Sequence, residues 1–226
     1  MQQDTQEDVP DSHQTMHGDC YSSGERAWME WGQQLRGKFL FPLLHFLTQW
    51  RVHPDHLSAL SLACGIAFGP LWYWGWKWTG VTMLALHVLL DGIDGPLARY
   101  QQIESPRGSF TDSFCDQAVV TVVAIALMMS TPVDLQVLPG ALFIALYIGV
   151  LTIAMIRNSL NVPYSWLVRP RFFFFAAIPM HIVQIPYVLV GIVWISNLLL
   201  LIKLVSGFFR LKHRLRGPKR FKNLEA

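Results

Sequence analysis

Two apolar stretches joined by a short polar connection make up residues 79–131, which read TGVTMLALHVLLDGIDGPLARYQQIESPRGSFTDSFCDQAVVTVVAIALMMST. A helix needs about 20 residues to cross a bilayer, and each stretch is that long. Asp91 and Asp94 lie near the end of the first stretch, and Asp112 and Asp116 lie near the start of the second. An Asp costs about 2.5–3.5 kcal/mol at the centre of a membrane helix, and several carboxylates near an interface still need a compensating partner. The stretch therefore predicts two membrane helices that share an acidic functional site.

Helical periodicity places these carboxylates on faces that can meet. At about 100° per residue, residues three or four positions apart share one face of a helix. The first face carries Asp91, Asp94, Gly95 and Ala98, with Arg99 at its edge, and the second carries Gly108, Asp112 and Asp116. The connection, residues 100–107, is short, so the two helices are predicted to be antiparallel neighbours. Two carboxylates from each helix then converge at one end of the pair.

The charge balance of this predicted site favours bound cations. An internal salt-bridge cluster is the alternative, but only Arg99 is close in sequence to balance four negative charges. Oxygen ligands alone favour Mg²⁺, Mn²⁺ or Ca²⁺ over zinc, and four carboxylates suit two such ions. The small residues Gly95, Ala98 and Gly108 leave a groove, and Arg99 offers a fork for phosphate. The residues predict a metal-dependent diphosphate site at the membrane–cytosol interface.

The composition agrees with a membrane protein. Apolar residues make up 52% of the 226 residues and charged residues only 15%, against about 25% charged in an average soluble domain. The mean hydropathy is +0.33, which argues against a soluble globular enzyme. Cys20, Cys64 and Cys115 share no metal-type spacing, so neither a zinc site nor a disulfide framework is predicted.

The chain divides into four predicted regions. Residues 1–34 are polar and predict a disordered cytoplasmic tail, whereas residues 35–53 predict an interfacial amphipathic helix. Residues 54–209 predict a six-helix membrane domain, and residues 210–226 a basic cytoplasmic tail. The six apolar stretches lie near 55–75, 79–99, 108–131, 137–157, 171–187 and 188–209. The predicted fold is an all-α integral membrane protein with six transmembrane helices preceded by an interfacial amphipathic helix.

The distribution of basic residues gives an orientation for these helices. With the N-terminus inside, all 18 Lys and Arg except Lys77 and Lys203 fall in cytoplasmic segments. The positive-inside rule then predicts six spans, with both termini and the acidic site on the cytoplasmic side. Because the basic tail directly follows a membrane helix, contact with anionic lipid is favoured over nucleic acid. No nucleic-acid partner is expected.

The acidic residues are also part of a longer sequence motif. The sequence reads Asp-x-x-Asp-Gly-x-x-Ala-Arg over residues 91–99, then eight residues, then Gly-x-x-x-Asp-x-x-x-Asp over residues 108–116. This resembles the signature of the CDP-alcohol phosphotransferases, also called CDP-alcohol phosphatidyltransferases, at all eight defining positions. The predicted helices extend the resemblance over roughly residues 35–210.

The resemblance implies a reaction and a role for each residue of the signature. A CDP-linked lipid donates its phosphatidyl group to an alcohol hydroxyl and CMP is released. Asp91, Asp94 and Asp112 are implied as ligands of Mg²⁺ or Mn²⁺, with two ions expected. Asp116 is implied both to complete the second metal site and to act as the catalytic base. The resemblance further implies a cytidine pocket lined by Gly95, Ala98 and Gly108, with Arg99 near the phosphates.

Several alternatives remain open at this point. The six-span form resembles small bacterial members, which favours CDP-diacylglycerol as donor and a multi-pass protein of the bacterial inner (plasma) membrane. A head-group transferase that uses CDP-choline or CDP-ethanolamine with diacylglycerol is the alternative within the family. From another class, an ion transporter could use the Asp cluster. The acceptor, a small alcohol, is left open, and a homodimer is expected from the resemblance alone.

Overall fold

The computed structural model describes residues 40–130, 136–160, 169–185 and 187–215. These residues form seven helices and contain no strand. In chain order the helices are α1 (40–49), α2 (Pro54–Tyr73), α3 (Lys77–Tyr100), α4 (Pro106–Ser130), α5 (Val137–Ser159), α6 (Pro170–Ile182) and α7 (Val188–Leu215). The all-α prediction is confirmed for these residues. The predicted tail 1–34, residues 35–39 of the predicted interfacial helix and residues 216–226 lie outside the described part of the chain.

Four of the described helices are long and apolar enough to cross a bilayer. Their membrane segments are Lys77–Tyr100, Phe110–Ser130, Val137–Arg157 and Val188–Leu215. Helix α6 has 13 residues, which is about 20 Å at 1.5 Å per residue and shorter than the hydrocarbon core. The protein is therefore a membrane protein with four helices of spanning character among its described residues.

Helix α1 packs along the end of the bundle where α3 finishes. Its Leu44 is 3% exposed and clusters with Leu57 of α2 and Leu97 of α3. The opposite side of α1 leaves Phe46 50% exposed. One apolar face thus lies on the bundle and another points away from it, as expected of an interfacial helix.

Helices α2 and α4 approach each other closely at Gly65. A Cβ atom added to Gly65 would collide with the side chain of Val119. Farther along the same pair, the Trp72 indole N–H donates to Ser130 Oγ over 2.8 Å. Phe68, Trp72 and Val119 belong to the main core cluster, so this crossing fixes α4 against α2 from its middle to its end.

Local features of the chain end α3 and begin α4 on either side of a short turn. Gln102 adopts a positive φ of 57°, and Ile103 N–H donates to Ala98 C=O over 3.0 Å, which closes α3 as in a Schellman motif. Ser105 Oγ then accepts from Gly108 N–H over 3.1 Å, so Ser105 caps α4 ahead of a proline at the first helical position. The tight turn brings the start of α4 to the end of α3. The two helices do not pack along each other as the sequence predicts, because each packs mainly against α2.

The ends of α6 and α7 differ most from the predicted boundaries. Helix α6 ends at Ile182 rather than at 187, because Gln184 has a positive φ of 62° and Ile185 N–H donates to Met180 C=O over 3.2 Å. Helix α7 continues to Leu215 rather than ending at 209, through residues predicted to belong to the basic tail. Basic side chains in its last turn are favourable for the helix dipole, so the charge that ends the apolar span also supports the helix.

Candidate active site

All eight positions of the acidic signature lie on helices, on either side of the turn between α3 and α4. Residues 91–99 belong to the last turns of α3, and residues 108–116 to the first turns of α4. Because a short turn joins the end of α3 at Tyr100 to the start of α4 at Pro106, both sets of residues lie at one end of the bundle. Helix α1 packs at this same end through its contact with Leu97.

Three of the four signature carboxylates form a tight group. Asp91, Asp112 and Asp116 each offer one carboxylate oxygen, and these oxygens all lie within 4.8 Å of one another. The side chains of Asp91 and Asp116 are only 12% and 13% exposed. Like charges this close, and this shielded from water, need a positively charged partner. The structure thus brings together carboxylates from both helices, as the helical faces predict.

Asp94 lies apart from that group and is held by α2. Asp94 is 7% exposed, and its Oδ2 atom accepts a hydrogen bond from Ser58 Oγ over 2.6 Å. Its Oδ1 atom accepts from the backbone N–H of Gly95, also over 2.6 Å. Both oxygens of Asp94 are therefore engaged by neighbouring groups, and Ser58 ties the orientation of this carboxylate to α2.

Arg171 supplies a positive charge within the carboxylate group, a pairing that the sequence did not predict. Its Nη2 lies 2.9 Å from Asp91 Oδ2, and its Nη1 contacts Asp116 Oδ1. The residue belongs to α6, 80 positions after Asp91. Its pairing with Asp91 therefore cannot be predicted from residues that are close in sequence. The available signal was its position at the start of a predicted span on the same side as the signature.

Arg99, expected near the phosphates, lies outside the carboxylate group. Its Nη1 is 3.4 Å from Glu104 Oε1, and the two side chains are 42% and 60% exposed. The guanidinium also lies 3.9 Å from the position that a Cβ on Gly95 would take. Arg99 is thus positioned along the glycine side of α3, held by a weak surface pair.

Packing within the protein does not account for Gly95 and Gly108. Among the described residues, a Cβ on Gly95 would meet only the Arg99 guanidinium at 3.9 Å, and a Cβ on Gly108 only Ser105 Oγ at 3.5 Å. Both are ordinary contacts, in contrast to the collision at Gly65. Space therefore remains beside Gly95 and Gly108, where a ligand could approach the backbone. Ala98, the third small residue, is part-buried in the same helix.

A buried polar pair lies one turn of α3 further into the bundle. His87 is 2% exposed, its Nδ1 is 2.8 Å from Ser61 Oγ, and its ring packs edge-on against Phe175 of α6. These contacts join α2, α3 and α6 beneath the acidic group. His87 is thus a packed, hydrogen-bonded residue that supports the site.

The fold and site define an integral membrane protein with a group of carboxylates, bridged by one arginine, at one end of its helix bundle. The sequence pattern of the CDP-alcohol phosphatidyltransferase family matches residues 51–209. This match covers α2 to α6 and most of α7, and it includes all eight signature positions. The chain belongs to this family, which confirms the resemblance found in the sequence.

Two curated relatives match part of the chain. The chain is 30% identical over 112 residues to the inner membrane protein YnjF of Escherichia coli, covering 48% of this chain and 53% of the relative. It is 30% identical over 119 residues to the archaetidylinositol phosphate synthase of Aeropyrum pernix, covering 53% and 54%. The matched region thus spans about half the length of each relative.

Solved structures share the fold over a larger part of the chain. The apo structure of the Mycobacterium tuberculosis phosphatidylinositol phosphate synthase PgsA1 has a TM-score of 0.64 at 17% identity and covers 75% of this chain and 94% of its own. Its structure with bound CDP-DAG has a TM-score of 0.63 at 18% identity and covers 75% and 91%. A third structure, with manganese and citrate, has a TM-score of 0.64 at 17% identity and covers 75% and 87%. This similarity shows a common membrane fold.

Proposed function

We propose that the protein transfers a phosphatidyl group from a CDP-linked lipid, CDP-diacylglycerol, to an alcohol acceptor and releases CMP in phospholipid biosynthesis. The observation that carries this proposal is the convergence of the complete family signature at one end of α3 and α4, where Asp91, Asp112 and Asp116 lie together. Family membership supports the reaction class. The choice of donor is supported by the structural neighbour that binds CDP-DAG.

The acidic group has the charge and chemistry of a divalent-metal site. Asp91, Asp94, Asp112 and Asp116 carry −4 when ionised, and Arg171 contributes +1, which leaves −3 to be balanced. The donor atoms are all carboxylate oxygens, which suit Mg²⁺ or Mn²⁺. We infer that these four residues hold two such ions, with Asp116 completing the second site. Bound there, the ions would neutralise the diphosphate and stabilise the charge that develops on departing CMP.

Asp116 is assigned the role of catalytic base. Its carboxylate takes the proton of the acceptor hydroxyl while the hydroxyl oxygen forms a bond to the phosphatidyl phosphorus. The bond between that phosphorus and the CMP oxygen breaks, and CMP leaves with the electron pair. Such transfers depend mainly on positioning and electrostatics, which fits a rigid helix-borne carboxylate.

The remaining signature residues are assigned to donor binding. The open space beside Gly95 and Gly108, continued by Ala98, forms a groove for the cytidine moiety. Arg99 lies along the same side of α3. If it released Glu104 and bound a diphosphate oxygen instead, the new charge-assisted pair would be stronger. The groove and the metal site thus hold opposite ends of the CDP group.

We further propose six membrane crossings with both termini on the cytoplasmic side. Helix α2, at 20 residues, is about 30 Å long, which is long enough to cross the hydrocarbon core. Arg157 at the end of α5 and the basic last turn of α7 fall on one side only if α6 also crosses. The Escherichia coli relative is an inner membrane protein, which supports the inner membrane of a bacterium as the location.

Two other functions differ in what they predict. A head-group transferase would use CDP-choline or CDP-ethanolamine with diacylglycerol, and an ion transporter would release no CMP from any donor. The two enzymes named among the relatives are an archaetidylinositol phosphate synthase and a phosphatidylinositol phosphate synthase. We therefore place inositol phosphate first among the acceptors to test. A homodimer remains a prediction of the family resemblance.

The test is CMP release by the purified full-length protein in detergent with Mg²⁺ or Mn²⁺. CDP-diacylglycerol is offered with inositol phosphate, glycerol 3-phosphate, serine, inositol and choline in turn. Asp116→Asn is expected to lower turnover by about 10²-fold or more, the scale of general-base catalysis. Asp55→Asn is the matched control, because it replaces the same carboxylate by the same amide at a side chain that is 75% exposed.

The outcomes separate the candidates. Release with one acceptor, lost in Asp116→Asn and kept in Asp55→Asn, supports the proposal and identifies the substrate. Release only from CDP-choline or CDP-ethanolamine with diacylglycerol would move the assignment to the head-group transferases. No release from any donor would contradict a transferase function.

A further inference from the structure

We propose that Arg171 is the internal counter-ion of the acidic site, and that it competes with divalent cations for Asp91 and Asp116. In the metal-free protein the guanidinium would keep the α3 and α4 carboxylates assembled, and it would give way when the ions bind. This inference rests on the proposed metal-dependent function. Arg171 itself lies outside the family signature.

The geometry shows that Arg171 uses ligand atoms of the proposed metal site. One guanidinium nitrogen takes an oxygen of Asp91 at 2.9 Å, and another contacts an oxygen of Asp116. These two carboxylates come from different helices, so a single side chain bridges α3 and α4. The side chain of Arg171 is only 5% exposed, and interactions between charges this well shielded are strong.

The position of Arg171 in α6 shows that the carboxylates determine its placement. It is the second residue of α6, after Pro170. A cation is unfavourable at a helix N-terminus, because the dipole places partial positive charge there. Burial of an unpaired guanidinium at that point would be more unfavourable still. The two carboxylates compensate for both effects, together with the Phe172 ring, whose centroid lies 4.8 Å from the guanidinium carbon.

The same geometry makes Arg171 displaceable. Its Nε is buried and has no hydrogen-bond partner among the described residues, so the guanidinium is incompletely satisfied where it lies. A divalent ion ligated by Asp91 and Asp116 would lie within a few ångströms of this positive charge, and the two would repel. Occupation by metal and by Arg171 is therefore mutually unfavourable.

Metal binding and thermal unfolding of the full-length protein in detergent test this competition. Mn²⁺ affinity is measured by calorimetric titration, and the unfolding temperature by tryptophan fluorescence in EDTA and in Mn²⁺. The variants are Arg171→Gln, which removes the charge, and Arg171→Lys, which keeps it on a different head group. Arg169→Gln is the matched control, because Arg169 is an exposed arginine two positions away at the N-cap of α6.

Arg171→Gln is expected to bind Mn²⁺ at least about fivefold more tightly, the lower end of a typical coupling between sites. Its unfolding temperature in EDTA should fall by about 4 °C or more, because Asp91 and Asp116 lose their counter-ion. Mn²⁺ should remove that deficit. Arg171→Lys should lie between Arg171→Gln and the wild type in affinity, and Arg169→Gln should match the wild type.

The remaining outcomes either support or refute competition between Arg171 and the metal ions. Equal or weaker Mn²⁺ binding by Arg171→Gln would overturn the proposal while leaving the metal site itself intact. If Arg171→Gln folds only when Mn²⁺ is present, the counter-ion role is supported; if it folds in neither condition, displacement by metal is refuted. If the wild type and all variants fail to bind Mn²⁺, the proposed metal-dependent function fails together with this inference.

Discussion

Ser58 offers a test of how the site is held together without altering any signature residue. Its hydroxyl donates to Asp94 Oδ2 over 2.6 Å, and Asp94 is 7% exposed. In Ser58→Ala the carboxylate keeps the hydrogen bond from Gly95 N–H but loses its link to α2. We expect Asp94 to reorient and the site to bind metal less well, although every proposed ligand remains present.

The magnitude follows from the kind of hydrogen bond that is removed. The bond is short, shielded from water, and accepted by a carboxylate, which places it among charge-assisted bonds. Hydrogen bonds to charged groups contribute about 1.5–3 kcal/mol, which corresponds to roughly 10- to 150-fold in an equilibrium or rate constant. The Mn²⁺ concentration needed for half-maximal activity should therefore rise about tenfold or more. The turnover at saturating Mn²⁺ should change much less, because Asp116 is untouched.

The assay is CMP release as a function of Mn²⁺ concentration at saturating donor and acceptor. Ser58→Thr keeps a hydroxyl at the same position and should restore most of the metal affinity. Thr152→Val is a matched control, since its hydroxyl donates only to Ile148 C=O on an exposed surface of α5. If Ser58→Ala has the metal dependence of the wild type, Asp94 does not depend on Ser58 and the reasoning is refuted.

Three further predictions concern packing and the donor groove. Gly65→Leu should lower the free energy of unfolding by about 1–3 kcal/mol through overpacking against Val119, measured by denaturation in detergent, whereas Gly92→Ala, with open space around it, should not. Gly95→Leu should leave the unfolding temperature within about 2 °C of the wild type, because ordinary contacts surround it, yet should reduce CMP release by about 10²-fold, the scale of a misplaced substrate. Trp72→Phe should reduce the free energy of unfolding by about 0.5–1.5 kcal/mol through loss of its hydrogen bond to Ser130. Equal activity in Gly95→Leu would place the nucleotide elsewhere.

Most of the helical architecture could be predicted from local sequence patterns. Apolar runs of spanning length, separated by Pro and polar residues, predicted helices close to α2, α3, α4, α5 and α7 because both the length and the boundary signals are local. The end of α6 was placed too late. Gln184 ends that helix in a left-handed conformation, which is not predictable from a glutamine residue. The end of α7 was placed too early, because a change from apolar to basic residues marks a membrane boundary and leaves the helix intact.

The site was predictable where it depends on one helix or on one short turn. The shared faces of α3 and α4 follow from the 3.6-residue period, and the structure brings Asp91, Asp112 and Asp116 together accordingly. The partners that come from distant helices were not predictable in this way. Arg171 reaches Asp91 from α6 and Ser58 reaches Asp94 from α2, through packing that no local spacing encodes.

The central claim is that the carboxylates of α3 and α4 bind divalent cations at the site where the family chemistry would take place. Anomalous scattering from crystals of the protein grown with Mn²⁺ locates the ions directly. We expect anomalous peaks between Asp91, Asp112 and Asp116, with the Arg171 guanidinium no longer bridging Asp91 and Asp116. Crystals in saturating Mn²⁺ that show no peak there, with Arg171 still paired to both carboxylates, would contradict it.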